Sequence, residues 1–305
     1  MAEAQAPHSE ASPYGGQAVI EGVMMRGKEM CAVAVRKDSG EIATISRPVD
    51  SPLTRYPFLN TPVLRGMIAL YDTLRLGVWA VQWSGEALMG RPASPWAPVL
   101  GVVIALALFI FLPERVAALT SRWLRESWQL NVFEGLVRFG IFGLYFLLVS
   151  RLKEVQRIFR YHGAEHRTIN AFEAGVPLEV ERIQHFSSIH ERCGTNFIVV
   201  VLVITLLVFS VLPWSTFGER IVLRFILLPL IAGASYELIR GAARRPDLRW
   251  LRPLMIPGEW LQRLTTGVPD DGQVEVALRS FETLRSAEAA HSGTGAEAGP
   301  AEVAG

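Results

Sequence analysis

Four of the six histidines fall between positions 162 and 190, the one concentration of potential chemistry in the chain. Residues 160–173 read RYHGAEHRTINAFE. On a helix His162 and His166 share a face one turn apart, so two imidazoles can chelate one ion. Glu165 beside them completes His-x-x-Glu-His, the inverted zincin pattern. In that pattern both histidines bind Zn²⁺ and the glutamate acts as general base toward metal-bound water. A catalytic zinc takes three protein ligands and keeps a fourth position for water, so a third ligand is needed. His190 and Cys193 of HERCGTN follow His166 by 24 and 27 residues, Glu237 lies in SYELIR, and Glu173 sits further along the same face. The order of preference is His190, Glu237, Cys193, Glu173. A Cys193 thiolate points to a structural or closed site, a carboxylate to an open, hydrolytic one. The competing reading of these histidines is structural: imidazoles cap helix ends or pair with Glu173 and Glu191. His185 reads as a surface or packing residue.

These residues need elements to position them, and the composition says which kind. Of 305 residues 50% are hydrophobic and 19% charged, with a mean hydropathy of +0.28, the balance of a membrane protein. A net charge of +1 leaves no basic surplus to displace phosphate counterions, so nucleic acid is excluded as a partner. The lipid bilayer is the expected one. Residues 92–113 lack charge and centre on WAPVLGVVIALALFIFL, close to the roughly 20 apolar residues that a helix needs to span hydrocarbon. Residues 194–218 are uncharged over 25 positions and form the strongest expected span. Two further spans, 132–150 and 221–239, are interrupted by charge. Glu134 and Arg138 stand i,i+4 and can pair, while Arg224 lies near enough to an end to snorkel.

Residues 63–88 mix apolar residues with Arg65, Asp72, Arg75 and Glu86, and read as an amphipathic helix lying in the interface. CAVAVRK and EIATISR alternate apolar and polar residues around Asp38-Ser39-Gly40, a hairpin signal. GGQAVIEGVMMRG before it has no phosphate-loop spacing, and its glycines suit a tight β turn with close backbone packing. After the last span the prolines at 246, 253 and 257 break the chain before a short interfacial helix at GEWLQRLTT. A terminal amphipathic helix follows, with Val276, Leu278, Phe281 and Leu284 on its apolar face.

The expected fold is therefore mainly α: a polytopic helical membrane protein with about four transmembrane helices and a small cytoplasmic cap containing a β-hairpin. Residues 1–14 form a disordered tail, 15–92 the hairpin and interfacial helix, and 93–285 the four-span domain. That domain carries a histidine-rich loop at 151–193 and a C-terminal cap segment at 240–285, and 286–305 is a second disordered tail. Lys and Arg number nine before the first span, then three, seven, one and six in successive connections. The alternation places both termini and the 151–193 loop in the cytoplasm of a multi-pass cell-membrane protein. Cys31 and Cys193 then lie on the reducing side and read as free thiols.

Six stretches carry a resemblance to a known family: GGQAVIEGVMMRG, CAVAVRKDSGEI, RYHGAEHRTINAFEAG, RCGTNF, SYELIR and PGEWLQRLTTGVPDDGQVEVAL. Together they resemble the YqhQ-like family of bacterial multipass membrane proteins, a domain of unknown function (DUF1385), from about residue 15 to 284. The resemblance implies a metal-dependent enzyme, without a substrate. The family's YHGAEH falls on Tyr161 to His166, its HxRCGT on His190 to Thr195 and its SYE on Ser235 to Glu237. This chain departs from it at Glu191 for a proline, at Asn196 for a serine, and at Ala171-Phe172-Glu173 for Cys-Tyr-Glu.

Two functions follow as expectations. The first is a metal-dependent integral membrane hydrolase with Zn²⁺ or a similar divalent ion on His162 and His166, completed by His190, Glu237 or Cys193, and with Glu165 as base at the cytoplasmic membrane surface. The second is a non-catalytic membrane scaffold or assembly factor whose metal or histidine cluster fixes the cap. Transport ranks third, since the charged residues form no obvious relay. Neither substrate nor oligomeric state is carried by a recognisable motif.

Overall fold

The computed structural model describes residues 14–92, 94, 96–190, 193–244 and 252–296. The expected break at Pro246, the residue Glu191 and the tail segments 1–13 and 297–305 lie outside the described residues. Four strands, β1 (Gly15–Val19), β2 (Gly22–Arg26), β3 (Met30–Arg36) and β4 (Ile42–Pro48), are followed by eight principal helical segments. These are α1 (Leu64–Met89), α2 (Trp96–Leu119), α3 (Ser127–Val149), α4 (Lys153–Glu173), α5 (Gly194–Ser210), α6 (Phe217–Arg244), α7 (Arg252–Thr265) and α8 (Asp271–Ala296). The protein is mainly helical, with one small antiparallel sheet near its N-terminus.

The expected hairpin is β3–β4, in which Arg36 pairs with Ile42 and Gly40 takes the left-handed φ of 86° that glycine adopts without steric cost. The sheet is larger than a hairpin, because the glycine-rich run folds as β1 and β2 in an antiparallel meander of order β1-β2-β3-β4. Its apolar GVMMR shows no polar alternation since both faces are covered. Val23, Met25, Ala32 and Ala34 pack with Tyr161 and Ile169 of α4 and Phe281 of α8. Met24, Cys31, Val33 and Val35 pack on Leu76 and Ala80 of α1. Expected apolar positions Val276, Phe281 and Leu284 of α8 are buried, and the helix runs on to Ala296, so residues 286–296 are helical rather than a disordered tail.

Helix α1 matches the amphipathic segment, yet it is wedged between the sheet and α6 as well. A Cβ on Gly66 would stand 2.9 Å from Gly233 Cα, so the two glycines let α1 and α6 touch backbone to backbone. Tyr71, Leu74, Val78 and Val81, at helical spacing, remain exposed. Among the described residues three helices are long and apolar enough to cross a membrane: Trp96–Leu119, Ser127–Val149 and Phe217–Ala242. Helix α5, the segment expected to be the strongest span, is apolar but has 17 residues, about 25 Å at the helical rise. The chain leaves the helix at Val211, two residues ahead of Pro213, which restricts the backbone before it.

The charges among these helices are buried and paired. Arg138 donates to Glu134 as the i,i+4 spacing implies, and Arg138 Nε donates to Phe109 O at 2.9 Å within the π turn Ala107–Phe111 of α2. Arg224 does not snorkel. It is 2% exposed and donates to the other oxygen of Glu134, because a second guanidinium on that carboxylate offsets desolvation that a lone buried charge would suffer in full. Arg220 donates to the buried Glu114 in the same way. Within α7, Pro257 lies inside the helix, where the expectation was a break.

Candidate functional site

The histidine-bearing helix is not a continuation of α3. The chain leaves α3 at Val149, turns over residues 150–152 and starts α4 at Lys153, which packs against β1, β2 and α8. Tyr161, Ala164 and Ile169 face the core. Glu21, in the β1–β2 turn at a φ of 51°, accepts hydrogen bonds from Arg157 and from Tyr161 Oη at 3.3 Å, which locks α4 onto the sheet. Burial, then the neighbouring Glu21 charge, pushes the Tyr161 hydroxyl well above its ordinary range, so it stays a donor.

His162 and His166 stack edge to face with ring centroids 4.4 Å apart. His162 Nδ1 lies 2.9 Å from Thr265 O, and His166 Nδ1 lies 2.6 Å from Ser188 O. A carbonyl accepts and never donates, so each Nδ1 is a protonated nitrogen, and Nε2 is the atom that a neutral ring would offer to a metal. Cys193 completes the group. Its Sγ stands 3.4 Å from His162 Nε2, and one ligand atom from each of His162, His166 and Cys193 lies within 4.8 Å of the others. Burial holds the His166 imidazole below its usual range and so keeps it neutral, the form a metal requires.

Cys193 is the N-cap of α5. Its sulfur accepts from Thr195 N at 3.5 Å and from Thr195 Oγ1 at 3.2 Å, and it faces the positive end of an apolar helix. Two imidazoles and a thiolate are a donor set that fits zinc, and three such ligands leave a fourth position for another group. A carbonyl that accepts from the far ring nitrogen, as Thr265 O and Ser188 O do here, is the partner that orients metal-binding histidines.

The remaining sequence candidates take other places. His190 lies beside the cluster, its ring centroid 5.6 Å from that of His166, with Nε2 facing Glu173 Oε2 at 3.5 Å. Its backbone N–H donates to Gln262 Oε1 and its carbonyl accepts from Gln262 Nε2, at 3.0 and 2.9 Å. Glu237 is held away from the cluster by a two-pronged pair with Arg65 of α1, whose Nε donates at 2.6 Å. The guanidinium fork matches the carboxylate geometry and occupies it. Glu165 turns toward β1, where it accepts the Gly16 N–H. A Cβ on Gly16 would lie 2.9 Å from Glu165 Cδ. Its Oε2 is buried with no hydrogen-bond partner among the described residues. Burial pushes the carboxyl up to about 7, against the opposing charge of His162 and the Gly16 N–H, close to the pH at which a general acid–base operates.

Several contributors escaped the sequence. The Ser188 and Thr265 carbonyls orient both imidazoles, and a backbone carbonyl has no side-chain signature. Gly163, between the histidines, allows contact with the segment after α7, since a Cβ there would stand 2.0 Å from Gly267 O. The glycine after His162 and the Thr-Thr-Gly at 265–267 were the available signals.

A small sheet clasped by helices, several strongly apolar helices, and a His–His–Cys cluster where α4, α5 and α7 meet define a mainly helical protein with a candidate metal centre. The family model described as a protein of unknown function (DUF1385) matches residues 61–287. The chain is also 32% identical over 310 aligned positions to the uncharacterized protein YqhQ of Bacillus subtilis (strain 168), covering 92% of this chain and 95% of that protein. The chain belongs to the DUF1385 family, as its motifs implied. No solved structure matches it.

Proposed function

We propose that His162, His166 and Cys193 hold a divalent metal, zinc by donor chemistry, in a membrane-embedded enzyme of the hydrolase type. The observation that carries this reading is the grouping of one ligand atom each from His162, His166 and Cys193 within 4.8 Å of one another, each imidazole fixed by a backbone carbonyl behind it. A cation held there would supply Lewis acidity toward an oxygen of the substrate. The chain's own groups do the rest. Thr265 and Ser188 keep the rings oriented, Thr195 holds the sulfur through its N–H and Oγ1, and Glu165 holds or releases a proton at Oε2. His190, beside the cluster, is the reserve ligand, and Glu237 serves instead to pin α1 to α6 through Arg65.

The length and apolarity of α2, α3 and α6 support a multi-pass protein of the cell membrane, with α5 as a shorter fourth span. The Lys and Arg distribution supports cytoplasmic termini and a cytoplasmic 151–193 loop. The substrate would then be met at the inner membrane surface. A second reading is a scaffold with a structural metal. It is favoured by the way the two imidazoles tie α4 to two separate segments, at Ser188 and at the end of α7.

Glu165→Gln separates the two. Glutamine keeps an acceptor for Gly16 N–H and leaves the three metal ligands untouched. If the protein is an enzyme, the variant retains metal and fails to rescue a deletion strain. If that strain is rescued in full, the scaffold reading stands and the catalytic one is lost.

A further inference from the structure

Away from the histidines, the apolar helices enclose a second site. Glu134 receives Arg138 and Arg224, and Glu114 receives Arg220, so five buried groups carry three positive and two negative charges. One guanidinium is in excess. Arg224, 2% exposed, leaves Nε and Nη1 with no hydrogen-bond partner among the described residues, and the buried Thr205 Oγ1 is likewise without one. Unpaired donors on a buried cation call for an anion.

Arg138, Arg224 and Thr205 line one cavity of about 320 Å³, within the size range of small-ligand sites. Its other walls are hydrocarbon, among them Val102, Leu106, Phe109 and Leu228. Val102 is 58% exposed, so the cavity opens on the apolar flank of α2 rather than toward the polar cap. Thr205 lies 12 residues beyond Cys193, about 18 Å along α5, which separates this cavity from the His–His–Cys cluster.

We infer that this cavity binds an anionic single-chain amphiphile, its carboxylate or phosphate head against Arg224, Arg138 and Thr205 and its hydrocarbon tail directed through the apolar opening beside Val102. The charge excess favours a negative head, Arg224 and Thr205 line the cavity and carry the unpaired donors that would bond it, and the apolar walls with their sideways mouth select a tail. A small hydrophilic anion would meet no polar path to the site. The Glu134 carboxylate holds both arginines in place in the unliganded protein and stays paired when the head arrives, because Arg224 Nη2 alone is committed to it.

The test uses the full chain in phosphatidylcholine nanodiscs, with radiolabelled laurate and dodecyl phosphate counted above protein-free nanodiscs and dodecanol as neutral competitor. Laurate, dodecyl phosphate or both should bind saturably, and dodecanol should displace them at least tenfold less well than the unlabelled anion. The tighter of the two anions identifies the head group. Leu202 also lines the cavity, and Leu202→Trp, which fills it without changing charge, should weaken binding at least tenfold. Thr205→Val, close to isosteric and safe for folding, should weaken it severalfold while leaving the thermal midpoint in place. Absence of saturable binding by both anions, equal displacement by dodecanol, or binding indifferent to both variants would overturn the inference.

Discussion

Cys193 Sγ faces His162 Nε2 across 3.4 Å while capping the first turn of α5, so one sulfur joins the polar helix α4 to an apolar helix. The contact gives HxRCGT a physical purpose. Cysteine caps α5 through Thr195 and at the same time sets its sulfur beside His162, two contacts that alanine lacks.

The first prediction concerns the buried ionic network. Glu134→Ala strands Arg138 and Arg224 without their carboxylate, and removing one partner of a buried pair costs about 3–5 kcal/mol. Thermal unfolding of the detergent-solubilised variant should show a large drop in midpoint. Replacing all three together, as Glu134→Leu, Arg138→Met and Arg224→Met, should restore most of it, and an equal drop in the triple variant would show that charge balance is not what matters there.

Gly163 sets the contact that brings Thr265 O to His162. Gly163→Ala forces a methyl into Gly267 O, 2.0 Å from the ideal Cβ, and overpacking of this kind costs about 1–3 kcal/mol. Zinc affinity, measured by competition with a chromophoric chelator, should fall along with stability, since the carbonyl that fixes the His162 tautomer has to move. Loss of stability with affinity unchanged would detach Thr265 from the site.

Gln262 satisfies both backbone groups of His190 from the far side and contacts Asn196 Oδ1 at 3.3 Å. Gln262→Leu leaves buried polar groups unpaired, at about 1–3 kcal/mol for each stranded group. Hydrogen exchange around residues 187–196 should speed up markedly in this variant, while exchange within β3 stays at the wild-type rate.

How much of this was legible beforehand varies by element. The β3–β4 hairpin showed through the alternation in β4 and a glycine where φ must be positive. The amphipathic α1 and the His162–His166 pairing showed through helical periodicity, and the apolar helices through long runs without charge. β1 and β2 did not, because a strand covered on both faces loses alternation and four glycines read as a turn. Arg224 was misplaced near a helix end because a linear sequence conceals the carboxylate of α3 waiting for it. For the third ligand, Cys193 came behind His190 and Glu237 in order, although the structure brings Cys193 to the imidazoles, seats His190 against Glu173 and gives Glu237 to Arg65. Which donors converge depends on tertiary contacts of α1 and α7 that spacing does not encode.

Metal content is the most direct measurement on the central claim. The full chain, purified without added chelator, should carry about one equivalent of zinc or a similar divalent ion by elemental analysis, as expected for a three-ligand site. Cys193→Ala and the double change His162→Ala with His166→Ala should each reduce it at least tenfold in folded protein. Unmutated protein that contains no such metal, and takes up none from a zinc buffer at neutral pH, would contradict the assignment.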